Sequence, residues 1–151
     1  DDLIQGAAGI PWLMQQYTGG EPLYAPVTMA DRVTGLHAVY AVTAALYARE
    51  RTGLGQAVVV PMFEALTQFV FGDHLGGATF DPPLGGPGYA RLLTPHRKPY
   101  ATADGHLCVL IYNDKHWRSF FACAVSFANS SPAGPGMWQL VQASAFFVRF
   151  L

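Results

Sequence analysis

Charge is what this sequence has least of. Only 13% of its 151 residues are Asp, Glu, Lys or Arg, about half the share usual in a soluble domain. Hydrophobic residues make up 51%, so polar material is too scarce to cover the surface, part of which is expected to meet other protein. Nine basic residues against ten acidic ones give a net charge of −1. No basic stripe interleaves with aromatics; Arg91, Arg97 and Lys98 form only a small local group. Nucleic acid is not an expected partner. Cysteine is scarce too. Cys108 and Cys123 stand alone, without metal-type spacing, and read as reduced thiols of a cytoplasmic protein. No apolar run approaches the ~20 residues that span a bilayer, so no membrane partner is expected. The sequence opens on Asp1 rather than Met, from which a start further upstream is expected.

What is present reads as helices around a short strand. Leu3, Ile4, Ala7, Ala8, Trp12, Leu13 and Tyr17 predict an apolar helix over 3–17, interrupted at Pro11 and ended by Gly19-Gly20-Glu21-Pro22. The clearest element opens at Asp31, a good N-cap. Apolar residues follow on every side (Val33, Leu36, Val39, Tyr40, Val42, Ala44, Ala45, Leu46), the pattern of a helix buried all round. Arg49, Glu50 and Arg51 make its last turn polar, and Thr52-Gly53 supplies the stop. Val58-Val59-Val60, between Gly55 and Pro61, predicts a short buried strand. Met62, Phe63, Leu66, Phe69 and Val70 then recur at helical spacing up to Gly76-Gly77. Helix, strand and helix in this order indicate part of an α/β layer structure.

Composition changes at residue 76. Five glycines and five prolines between Gly76 and Pro99 predict a long loop, functional or linking two domains. Beyond it, Tyr100–Ala103 and His106–Tyr112 flank Asp104-Gly105, a hairpin signal. Asn113 or Asp114 can cap a following helix that carries Trp117, Phe120 and Phe121 on one face.

Few residues suggest chemistry. Asp31 at a helix start has two readings. It can cap the helix, or it can be a carboxylate held ionised where N–H groups and the helix dipole also stabilise a developing oxyanion. The two can coexist. Gly35, one turn on, would let a bulky ligand approach the backbone. Gly53-Leu54-Gly55 follows a helix and precedes a strand, the reverse of a phosphate-binding loop, and reads as a turn. His37 and His74 lack a partner at ligand spacing and read as packing or surface residues, so no metal site is expected.

The stretch D-R-V-T-G-L-H-A-V-Y-A-V-T-A-A-L-Y-A-R-E-R-T-G-L-G-Q-A-V-V-V-P-M-F-E, residues 31–64, resembles the family III CoA-transferases. Ala-Asp before an Ala-rich apolar helix, then R-x-T-G-x-G-Q, then a strand ending in Met is a combination specific to that family. The resemblance extends back through D-D-L-I-Q-G-A-A-G at 1–9 and forward to about Cys123. It implies an α/β fold: residues 1–75 as part of the Rossmann-like large domain, 76–99 as a Gly/Pro-rich linker, and 100–123 as the start of the small α+β domain. Residues 124–151 read as a divergent tail. It further implies CoA transfer between carboxylic acids, with Asp31 attacking the acyl-CoA thioester. A mixed anhydride and then an enzyme aspartyl-CoA thioester follow. Coenzyme A is then substrate rather than resident cofactor, and intact relatives are homodimers. Gly85-Gly86-Pro87-Gly88-Tyr89 is similar to a glycine loop that shields the thioester in some relatives; a plain linker turn is the other reading of Gly85 and Gly86. Two alternatives stay open. One is 2-methylacyl-CoA racemase activity in the same superfamily, and the other is an inert chain that only associates with others.

Overall fold

The computed structural model describes residues 1–102, 105–129 and 146–150. The chain divides into two units, Asp1–Arg97 and Lys98–Leu151.

The first unit is helical. Helix α1 spans Asp2–Ala7 and α2 spans Ile10–Thr18. The break between them falls at Gly9, whose φ of 84° suits only glycine without strain. Pro11 lies in the first turn of α2, where a missing N–H forfeits no intrahelical bond. The interruption predicted at Pro11 is therefore made by the glycine before it.

Helix α3 spans Met29–Thr52. It stops as predicted at Gly53, whose φ is 75° and whose N–H donates to the Arg49 carbonyl at 2.8 Å. Its start differs from expectation. Thr28 is the N-cap and Asp31 lies inside the first turn. The Asp31 N–H donates instead to Asp1 Oδ2 at 3.0 Å, so a carboxylate from outside the helix does the capping that Asp31 was predicted to do.

Helix α4 spans Met62–His74. With α1, α2 and the start of α3 it builds one core from Ala8, Ile10, Ala30, Val33, Ala65, Leu66 and Val70. Ala30 and Leu66 are fully buried. Only Ala30 and Val33 of α3 belong to that core. Further along α3, Leu36, Val39, Tyr40 and Tyr47 are 57 to 66% exposed, so the helix predicted to be buried all round is buried at its first turns alone. The neighbours that would cover the rest are not among the described residues. The same lack explains residues 58–60, predicted as a buried strand. They form none, and Val59 is exposed, because a strand exists only beside a pairing partner.

After α4 a short 3₁₀ turn, Gly76–Thr79, opens a loop that folds back on itself. Gly77 N–H donates to the Gly86 carbonyl at 3.3 Å, Leu84 N–H to the Gly77 carbonyl at 3.0 Å, and Gly88 N–H to the His74 carbonyl at 2.8 Å. At this neck the two backbones nearly touch. A Cβ on Gly77 would lie 2.4 Å from the Gly85 nitrogen.

The second unit holds an antiparallel sheet in the order β1-β2-β3, from Tyr100–Thr102, Gly105–Leu110 and Phe146–Phe150. Thr102 pairs with Gly105 and Leu107 with Arg149. The predicted hairpin is present; its turn residue Asp104 lies outside the described residues. Strand β3 was not predicted, although F-F-V-R-F is rich in strand formers. Helix α5, Asp114–Asn129, is capped by Asn113, whose Oδ1 accepts the His116 N–H at 3.0 Å. Trp117, Phe120 and Phe121 cluster on it with ring centroids 5.5 to 6.1 Å apart.

Candidate active site

Asp31 is displayed by the start of α3. The residues on either side of its turn, Ala30 and Val33, are buried in the core, whereas Asp31 and Arg32 are exposed. The helix start is thus pinned from below and its carboxylate turned to solvent. As an acid in the first turn it is favourably placed in the helix dipole.

Two of the N–H groups at this helix end are already engaged. Asp31 N–H donates to Asp1 and Arg32 N–H to the Thr28 carbonyl at 3.2 Å. Neither can serve a developing oxyanion while those bonds stand, which narrows the donor set expected from the helix start.

Asp1 is itself held. Its Oδ1 accepts from Gln5 Nε2 at 2.5 Å. Gln5 Nε2 also donates to the Val27 carbonyl at 3.2 Å, and Gln5 Oε1 accepts the Ala25 N–H at 3.0 Å. Gln5 is 1% exposed, a polar amide inside an otherwise apolar core, and such a group is tolerated only when bonded. Asp1 and Gln5, four residues apart on one helix face, were given no role in the reading of the sequence. The available signal was a lone glutamine in the apolar run that carries Leu3, Ile4, Ala7 and Ala8.

Gly35 lies one turn along α3 from Asp31, on the same face. A Cβ there would meet nothing within 4 Å, so local packing does not require glycine. Gly85 and Gly86 sit at the neck of the 76–88 loop, against Gly77 and Gly76. A Cβ on Gly85 would meet only the Gly77 Cα, at 3.9 Å, and one on Gly86 nothing within 4 Å, so it is Gly76 and Gly77, not these two, that the neck requires to be glycine.

The histidines have local partners. His37 Nδ1 lies 2.9 Å from the Val33 carbonyl, an acceptor, which places a proton on that nitrogen. His74 Nδ1 accepts the Tyr89 N–H at 3.3 Å and so fastens the loop neck. Among the described residues no group of three or more His, Cys, Asp or Glu is placed to hold a metal ion. Among them, too, no helix is long and apolar enough to cross a membrane.

The segment that carries this arrangement is matched by a sequence model of CoA-transferase family III, which covers residues 1–133. The chain belongs to CoA-transferase family III. The match runs past Cys123, where the resemblance was expected to end. Over 112 residues the chain is 30% identical to a probable fatty acyl-CoA transferase from Mycobacterium tuberculosis, covering 66% of this chain and 28% of that protein. It is 29% identical over 121 residues to a succinate–glutarate CoA-transferase from Agrobacterium fabrum, with 78% and 29% covered. Over 65 residues it is 46% identical to a formyl-CoA:oxalate CoA-transferase from Streptomyces avermitilis, with 43% and 16% covered. This family III chain thus spans under a third of the length of these relatives. A crystal structure of a CaiB/BaiF family protein from Brucella suis matches with a TM-score of 0.59 at 22% identity, over 95% of this chain and 38% of that one. This likeness of fold, with mixed helix and sheet, makes the chain an α/β portion of a family III CoA-transferase.

Proposed function

We propose that this chain carries the nucleophile of a CoA transfer between carboxylic acids, and that the nucleophile is Asp31. The observation that supports the reading most directly is the exposed carboxylate of Asp31 on a helix start pinned by Ala30 and Val33, inside the segment matched to the family.

In the proposed reaction an Asp31 oxygen attacks the thioester carbonyl carbon. The carbon–sulfur bond breaks, giving a mixed anhydride and CoA thiolate. The thiolate attacks the aspartyl carbonyl, releases the donor acid as carboxylate, and leaves the aspartyl-CoA thioester for an acceptor acid to resolve. Covalent catalysis of this kind splits one difficult exchange into easier ones. Acyl-CoA and carboxylic acids are substrates in this reading, and no resident cofactor takes part. Gly35 leaves room for the acyl group beside Asp31, and the resemblance assigns shielding of the thioester to the loop that Gly85 and Gly86 close. A cytoplasmic homodimer belongs to the same proposal.

The test is to incubate the chain with acyl-CoA, add hydroxylamine and locate the label by mass spectrometry. Label is expected on Asp31 and absent from Asp31→Asn. Because the Asp31 side chain does not cap α3, that variant should change stability by less than about 1 kcal/mol, the scale of one first-turn charge in the helix dipole. An Asp31→Asn chain that still transfers CoA at the parent rate refutes the assignment. Exchange of the hydrogen next to a 2-methylacyl thioester, with no transfer, would favour the racemase chemistry instead.

A further inference from the structure

The bonds that reach Asp31 form a relay with a single origin. Gln5 spends both amide hydrogens, one on Asp1 Oδ1 and one on the Val27 carbonyl, while its oxygen holds the Ala25 N–H. One buried side chain therefore fixes α1, the extended approach to α3 and the orientation of the Asp1 carboxylate. The other Asp1 oxygen accepts the Asp31 N–H. A carboxylate with one oxygen tied cannot turn about its Cβ–Cγ bond without breaking that bond, so Gln5 decides where Oδ2 points. Among the described residues, the Asp31 carboxylate has no hydrogen-bond partner of its own. Its direction is set by the backbone that carries it.

We propose that Gln5 is a positioning residue for Asp31, acting through the Asp1 carboxylate. The proposal rests on Asp31 being the nucleophile. Gln5 touches no reacting atom in this account. It holds the first turn of α3 in one orientation, so that an attack by Asp31 starts from a fixed geometry rather than from a frayed helix end. Catalysis is sensitive to placement of this kind, because a reacting group displaced by about 1 Å loses a large part of its rate.

The chemistry of the relay supplies its own rescue. Gln5→Glu keeps the volume and the acceptor for Ala25 N–H but puts a carboxylate oxygen where the amide donated to Asp1 and to the Val27 carbonyl, so that it repels both. Adding Asp1→Asn restores one of the two bonds with reversed polarity: the new amide donates to the introduced carboxylate while its oxygen still accepts the Asp31 N–H, and only the Val27 carbonyl stays without its donor. A residue that merely fills the core would gain nothing from the second change.

Two readouts keep this proposal separate from the nucleophile reading. Hydrogen exchange of the Asp31 amide, followed by NMR, reports the relay without any acyl chemistry. Trapping at Asp31 with succinyl-CoA and hydroxylamine reports its consequence. Gln5→Glu is expected to speed Asp31 amide exchange by about tenfold or more, the effect of losing one charge-assisted bond, and to slow trapping by a similar factor. The double variant should return both part of the way to the parent, the remainder being the lost bond to the Val27 carbonyl. Should Gln5→Glu fail to fold, Asp1→Ala removes the acceptor of the Asp31 N–H itself and should show the same two changes. Parent-like exchange in the single variants overturns the relay, as does a double variant whose exchange and trapping lie no closer to the parent than those of Gln5→Glu. A parent chain never labelled at Asp31 overturns the nucleophile reading and with it the catalytic meaning of Gln5, while exchange still decides whether the brace exists.

Discussion

Leu66→Ala is the perturbation that most directly probes how the core presents the helix start. Leu66 is fully buried on α4 and shares one cluster with Ala30 and Val33, the residues that flank Asp31. Truncation to Ala removes three carbon groups. At about 0.8 kcal/mol each they represent roughly 2.4 kcal/mol of transfer free energy. The cavity left behind raises the loss to about 3–4 kcal/mol, within the range of comparable Leu truncations. Among the described residues this core holds seven buried apolar side chains, three of them alanines, so its neighbours have little length with which to refill the space. Leu36→Ala is the matched control. Leu36 is 66% exposed, and losing its remaining burial removes under about 1 kcal/mol, partly offset by the better helix propensity of Ala. Urea unfolding monitored by circular dichroism should therefore separate the two variants by at least about 2 kcal/mol. Exchange of the Asp31 amide should accelerate in Leu66→Ala alone. Equal losses in the two variants would show that α3 is not held by the contact with α4 described here.

Two further outcomes follow from positions already described. Gly77→Ala places a methyl 2.4 Å from the Gly85 nitrogen and should open the loop neck, read as faster protease cleavage between residues 76 and 99. Gly35→Ala meets no neighbour and should stabilise α3 by about 1 kcal/mol; slower trapping at Asp31 in the same variant would show that the acyl group passes over Gly35. The uncovered face of α3 predicts self-association at micromolar concentration, and a monodisperse monomer in light scattering with no binding of an apolar dye would contradict it.

How far the fold could be read in advance depends on how local its causes are. Helix α4, the stop at Gly53, the hairpin and the Asn113 cap were legible because each is decided by a few consecutive residues. The break at Gly9 was misassigned to Pro11 because proline is the stronger breaker inside a helix, and only the observed helix start shows it to be harmless there. The start of α3 was placed at Asp31 because a cap is ordinarily local. Here the acceptor comes from Asp1, thirty residues earlier, and no pattern of neighbours encodes that. Burial was the least legible property. An apolar sequence such as Val33 to Leu46 states that a surface must be covered, not which chain covers it, and residues 58–60 fail as a strand for the same reason. Asp31 and Gly35 could be singled out from the sequence, whereas Gln5 shows there only as a lone glutamine in an apolar run, with nothing to tell which groups it bonds.

The neck at Gly77 and Gly85 separates the length of its loop from the rest of the unit. Once the two backbones are clasped there, the residues between them form a ring whose closure is fixed by the clasp rather than by the tip. Doubling the tip would add only about 0.6 kcal/mol of closure entropy, and none of the bonds to His74 would have to move. Residues 81–83, exposed at that tip, thus occupy a stretch where side chains can be exchanged and residues inserted while the anchorage stays constant, whereas Leu84 belongs to the clasp through its bond to the Gly77 carbonyl.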